Sequence, residues 1–327
     1  MRPMAKSPGS FRAALLIGWI ALGAAGVLYA RDKGIPSWAA LPVLAAFLVE
    51  YPFYLVPAFP ELRERLAGAR LQVFLMASAV VPYLVCCCGA VEFRWVGLLR
   101  LVALALALGL WYAVLPAAPA VDVAFLALIP VVLLGKYFDP IYAPFRLQLY
   151  PELKYTILLG HLSLIVMAVM VLMLERRVHE TGYGFVPNWN EWRIGALHYL
   201  YFLLVAGPLA LWLKAAHITD PKPVWYIAGT FFGVLWVVAL SEEFGFRGLL
   251  QPWIEEWTWS RSAALLITSV LFGLVHLGFR GFPNWRWALL VAVLGWFCGR
   301  ARNQAGSIRA GMVTHALVVT TWRAFLA

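Results

Sequence analysis

Residues 224–250 read VWYIAGTFFGVLWVVALSEEFGFRGLL. An apolar run from Val224 to Leu240 passes without a break into Ser241-Glu242-Glu243-Phe244-Gly245-Phe246-Arg247-Gly248. Two adjacent carboxylates therefore lie on a helix apolar enough for a bilayer. An ionised side chain at that depth costs at least ~2.5–3.5 kcal/mol, so such residues are functional by default. Glu243 and Arg247 stand four residues apart on one helix face and can pair. Glu242 points about 100° away and is left free. One carboxylate is neutralised and the other is not, a division that suits a general base. A Glu–Arg pair that only joins helices has the same spacing.

Outward from this segment, the same apolar character covers the whole chain. Of 327 residues, 63% are hydrophobic and 13% are charged, which excludes an ordinary soluble domain. Helices are expected at approximately 13–30, 36–59, 71–91, 96–116, 120–136, 156–175, 195–215, 223–250, 260–278, 286–303 and 307–325. The fold class is therefore all-α, a polytopic integral membrane protein with about ten or eleven transmembrane helices, the count depending on how 96–136 folds, because Pro116, Pro119 and Pro130 interrupt it. The run from Ala13 to Ala30 lacks a cleavage site and reads as an anchor.

The net charge of +10 does not imply nucleic acid, because no basic run with interleaved aromatics occurs. Basic residues flank the apolar stretches, as Arg2, Lys6 and Arg12 do before the first. Trp189, Trp192, Trp253, Trp257, Trp259, Trp285 and Trp287 crowd segment ends, as in interfacial belts. The expected partners are the lipid bilayer and a membrane-associated protein or peptide. Cys86, Cys87 and Cys88 are contiguous, which no zinc tetrahedron uses, and with Cys298 they imply no disulfide framework.

Polar stretches at Pro60–Arg70 and Arg176–Arg193 separate groups of helices. The second divides an N-terminal accessory region, 1–193, from a C-terminal core, 194–327. Tyr137, Tyr142 and Tyr150, with Lys136 and Arg146, mark an interfacial segment, and Glu255 and Glu256 mark another. Glu50 and Asp122 suit either a substrate path or pairing with a neighbouring helix.

Two further polar positions lie in strongly apolar stretches: His276, closing Phe272-Gly273-Leu274-Val275-His276, and His315 in the last helix. His161 and His198 read as histidines hydrogen-bonded between helices. Two Glu and two His on one group of helices suit a water-filled cavity.

Glu-Glu-x-x-x-Arg at 242–247, Phe-x-x-x-His at 272–276 and a final-helix His at 315, in that order, resemble the CAAX prenyl protease and bacteriocin-processing (CPBP, ABI) family over residues 195–327. The resemblance implies a CPBP-type helix bundle and an intramembrane glutamic endopeptidase without a required cofactor or metal. It assigns the catalytic set Glu242, Glu243, Arg247, His276 and His315. Glu242 would activate water with His276 beside it, Glu243 and Arg247 would orient them, and His315 would face the oxyanion. It also implies a multi-pass protein of the cytoplasmic (inner) membrane of a bacterium. One position departs from the family: Val319 stands where Asn or Asp is usual, one turn after His315. Thr320, Thr314 or Asn303 could substitute.

Three alternatives stay open on the residues alone. A catalytically silent member could act as a membrane chaperone, immunity or regulatory protein. A transporter could use the same groups as a relay, although no symmetric halves are visible. Zinc could bind Glu242, His276 and His315, although the His-Glu-x-x-His helix is absent. At ~1.5 Å per residue, Glu242 and His315 fall level in the bilayer. His276, about 22 Å past Arg261 by the same rise, falls too deep unless 260–267 runs along the interface or the helix tilts.

Overall fold

The computed structural model describes residues 8–144, 149–179, 181–279 and 281–326. Arg2, Lys6 and Arg146 lie outside the described residues. Every regular element among them is helical, and only two isolated bridges, Val91 with Pro144 and Ile218 with Leu326, resemble strand pairing. The chain divides into two compact units between Val178 and His179.

The first unit contains α1 (Pro8–Asp32), α2 (Ser37–Leu55), α3 (Ala69–Cys86), α4 (Trp95–Gly109), α5 (Pro119–Leu134) and α6 (Ile157–Leu174). α6 packs on α2, α3 and α4 and is the most enclosed of them. It is apolar all round, as a helix surrounded by other helices must be. α1 packs on α2, tied by Trp19 Nε1 donating to Leu48 O at 2.8 Å and the Tyr51 hydroxyl to Ala14 O at 3.1 Å.

The two carboxylates singled out in this unit meet different fates. Asp122 accepts from Arg176 Nε at 2.8 Å, Arg176 Nη2 at 2.9 Å and the Tyr112 hydroxyl at 2.9 Å. It is a structural tie, as pairing predicts. Glu50 is 1% exposed, and neither carboxylate oxygen has a hydrogen-bond partner.

The second unit contains α7 (Trp189–Trp212), α8 (Val224–Thr258), α9 (Arg261–Leu274), α10 (Trp285–Ala305) and α11 (Ile308–Phe325). α7, α10 and α11 pack on one another, α9 lies against α10, and α8 against α11. Their core joins Phe202, Ala206, Phe272, Leu294, Cys298 and Val318. Four of the five helix starts, all but that of α8, are capped by side chains that accept from the first turn: Asn188 from Glu191 N, Ser260 from Ala263 N, Asn284 from Trp287 N and Ser307 from Arg309 N. At Asn188 the cap is reciprocal, because Glu191 Oε2 accepts from Asn188 N at 2.7 Å. The same Glu191 carboxylate accepts from Arg309 of α11, with Nη2 at 2.7 Å and Nε at 2.9 Å. α7 therefore begins at Trp189, before the expected 195.

α8 also differs from expectation. It continues past 250 to Thr258, so the Glu255 region forms its last turns. His198 donates from Nδ1 to Ile194 O on its own helix at 3.0 Å, so the expected bond between helices is not what satisfies that nitrogen.

Six helices among the described residues are long and apolar enough to cross a membrane, including α1, α2, α3, α7 and α8. α4, α5 and α9 are apolar but shorter. The six are fewer than the ten or eleven spans expected. α10 and α11 do not qualify because they carry Arg286, Arg300, Arg302, Arg309, His315 and Arg323. The protein is a multi-pass, all-helical membrane protein.

Candidate active site

The site is built on α8. Leu240–Glu243 is an α-helical turn between two π-helical stretches, Val234–Ala239 and Phe244–Leu250. Such wide turns inside an α-helix concentrate at functional sites. Glu243, Arg247 and Gln251, spaced four residues apart, form a polar stripe that is fully buried. Arg247 Nη1 donates to Glu243 Oε1 at 3.2 Å, and Nη2 donates to Gly295 O at 3.0 Å. Its guanidinium lies 4.2 Å from the centre of the Phe272 ring, a cation–π contact that suits a buried cation. Gln251 Nε2 donates to Asn303 Oδ1 at 2.9 Å.

Glycines on the facing helices leave room for this stripe. A Cβ at Gly295 would come within 3.1 Å of Arg247 Nη2, and one at Gly311 within 2.8 Å of Glu243 Oε2. Small residues of this kind let helices and their polar groups approach closely inside a membrane.

His315 stands between the two glutamates. Its Nδ1 is 2.9 Å from Glu243 Oε1, and its Nε2 is 3.8 Å from Glu242 Oε2. Glu242 and His315 are therefore side by side. The glutamates differ in access: the Glu242 side chain is 31% exposed and that of Glu243 is 0% exposed. A reactant can reach the first and not the second.

His276 lies in the turn beyond α9 and is half-buried. α9 starts at Arg261 and runs as one helix, so 260–267 is not a separate interfacial segment. His276 Nδ1 donates to Phe272 O at 2.8 Å, which leaves Nε2 as the acceptor of a neutral ring. Among the described residues, no hydrogen bond joins His276 to either glutamate. The Phe272 ring lies between the two histidines instead, 5.0 Å from His276 and 5.8 Å from His315 between ring centres.

The possible stand-ins for the missing Asn or Asp also separate. The Thr314 hydroxyl is committed to Gly195 O at 2.9 Å, and Asn303 to Gln251. The Thr320 hydroxyl is buried without a partner. Among the described residues, Glu242, His276 and His315 do not form the converging donor group that the zinc alternative needs. The group that converges is Glu243, Cys298 and His315, with one donor atom from each within 4.8 Å of the others. Cys298, Gly295 and Gly311 also face this centre, which no motif in the sequence marks directly. The Gly-x-x-x-Gly of Gly295 and Gly299, with Cys298 inside it, is the signal that points to close packing there.

A groove of about 340 Å³ runs along the first half of α8, lined by Trp225, Tyr226, Thr230, Val234, Val238 and, from α11, Arg323. Its last lining residue, Val238, is one turn before Glu242.

No curated protein matches the chain, and no solved structure does. Residues 223–321 match the family described as type II CAAX prenyl endopeptidase Rce1-like. The matched segment includes all of the second unit from the start of α8 to within the last turns of α11, and with it every residue of the Glu–Glu–Arg–His–His set. The match to the Rce1-like type II CAAX prenyl endopeptidase family thus covers the region on which the site is built.

Proposed function

We propose that the protein is an intramembrane endopeptidase that hydrolyses a peptide bond in a membrane-associated protein or peptide, using water activated by Glu242. The family of residues 223–321 supports a membrane protease. The observation that carries the glutamate mechanism is the unequal access of two adjacent carboxylates with His315 between them.

In this reading Glu242 takes a proton from water as it attacks the scissile carbonyl, and later returns it to the leaving amine. His276 offers Nε2 to the same water. Glu243 holds His315 through Nδ1, as a carboxylate fixes a catalytic imidazole, and turns Nε2 towards the reacting centre. In its imidazolium form His315 donates to the oxyanion, and one such donor is worth about 2.7–4 kcal/mol in the transition state. Arg247 balances the Glu243 charge. The groove along α8 receives the substrate's apolar segment, and Arg323 meets a negative group at its end. The shorter helices, with α10 and α11, complete a bundle of about ten or eleven crossings. The bilayer is the cytoplasmic membrane of a bacterium.

Val319 favours one second reading, a catalytically silent protein of the same fold acting as a chaperone, immunity factor or regulator. Comparative proteomics of membranes holding the wild-type protein or Glu242→Gln separates the two. New protein termini in the wild-type membranes alone support the protease; identical patterns support the silent protein.

A further inference from the structure

Residues 181–185, just before α7, form a strap that touches α8 in both of its π-helical stretches. Trp236, in the first stretch, donates from Nε1 to Phe185 O at 2.9 Å. Phe244, which opens the second, meets the Tyr183 ring at an angle of 80°, with 5.2 Å between centres. Thr181 lies over Gly248 in the same stretch, where a Cβ would stand 3.5 Å from the Thr181 Cβ. The strap is anchored on α11 as well. Thr181 O accepts from Ile308 N at 3.2 Å, and Thr181 Oγ1 accepts from Tyr183 N at 3.2 Å. Gly182 has a φ of +70°, and a Cβ there would collide with Ser307, the residue that caps α11. One short segment thus holds both the helix of Glu242 and the start of the helix of His315.

A π-helical turn closes its hydrogen bonds one residue further along the chain than an α-helical turn, and so carries an extra residue. If such a turn relaxes to α geometry, the helix beyond it rotates by about 100°, the angle of one residue. Leu240–Glu243 lies between the two stretches, so a slip in either changes where Glu242 points. Phe244 is about 200° around the helix from Glu242. The strap therefore backs α8 and leaves the open side of Glu242 clear. We propose that Trp236 and Tyr183 are positioning residues: through them the strap keeps both wide turns in register, and so keeps Glu242 beside His315. They act through α8 and not on the substrate. The consequence for turnover rests on the protease reading, whereas the register of α8 is measured without turnover.

The test uses the full chain in detergent. Trp236→Phe removes the N–H donor and keeps an aromatic ring against Phe232, 4.9 Å away between centres in the native protein. Trp236 is 39% exposed, so this variant should fold with an unchanged thermal midpoint. Hydrogen–deuterium exchange in peptides covering 234–250 should speed up about fivefold, the opening expected from one lost hydrogen bond, with α10 unchanged. In the cleavage assay kcat should fall towards about 10²-fold, the cost of a misplacement of about 1 Å, with KM unchanged. Tyr183→Ala should act in the same way. The double variant should lose no more than the stronger single one, since both release the same strap. Unchanged exchange in 234–250 overturns the strap's role, whether or not the protein cleaves. Faster exchange there with unchanged kcat overturns the positioning of Glu242. Exchange that rises equally in α10, or losses that add in the double variant, shows general loosening and overturns it too. Faster exchange confined to 234–250, in a protein that cleaves in no form, supports the strap and counts against the protease reading.

Discussion

His315 Nδ1 and Arg247 Nη1 approach the same oxygen of Glu243, at 2.9 Å and 3.2 Å, so one buried carboxylate fixes both a histidine and an arginine. Glu242, its neighbour in sequence, is left to face the open side. Adjacent residues of one type thereby acquire different work.

The first expectation concerns Glu242. Glu242→Gln keeps the side-chain shape and removes the proton acceptor, so cleavage should fall to background while yield and thermal stability stay at wild-type values. Full activity in this variant would remove the glutamic mechanism.

Glu243→Gln should behave in the opposite sense, as a stability variant first. It leaves the Arg247 charge buried without its counter-charge, a loss of about 3–5 kcal/mol for a fully enclosed pair. Thermal unfolding in detergent should show a clearly lower midpoint than for Glu242→Gln. Equal midpoints would show that the Gly295 carbonyl and the Phe272 ring hold Arg247 unaided.

Gly311→Ala tests the close approach. Its Cβ would stand 2.8 Å from Glu243 Oε2 and must push that carboxylate, and His315 with it, aside. A displacement of about 1 Å can cost about 10²-fold in rate. Steady-state cleavage with intact folding is the measurement, and an unchanged rate would mean that the carboxylate has room to move.

Val319→Asn restores the residue type usual in the family. Turnover should be preserved or raised if His315 works with a partner one turn on. A collapse of activity would show that His315 is arranged around Glu243 alone.

The polar sites were more legible than their surroundings. Glu243 with Arg247 follows from four-residue spacing. The helices themselves show as apolar runs, but their ends do not. Asn188 and Glu191 form a capping box in a stretch read as linker, and α8 continues through Glu255 because exposed carboxylates do not stop a helix. The part played by Cys298 is invisible in one dimension, since α10 and α11 reach Glu243 only through packing. His276 was grouped with the glutamates by order along the chain, whereas Phe272 stands between its ring and that of His315. The number of membrane crossings is obscured because the arginines of α10 and α11 lower the apolar signal of those helices.

Glu191 carries a further consequence. Its carboxylate closes the start of α7 and grips Arg309 at the start of α11, two helices whose first turns lie more than a hundred residues apart in sequence. Fraying at either end deprives the other of a partner. One carboxylate thus ties the start of α7 to the start of α11, and damage at this distant corner should loosen the helix that carries His315.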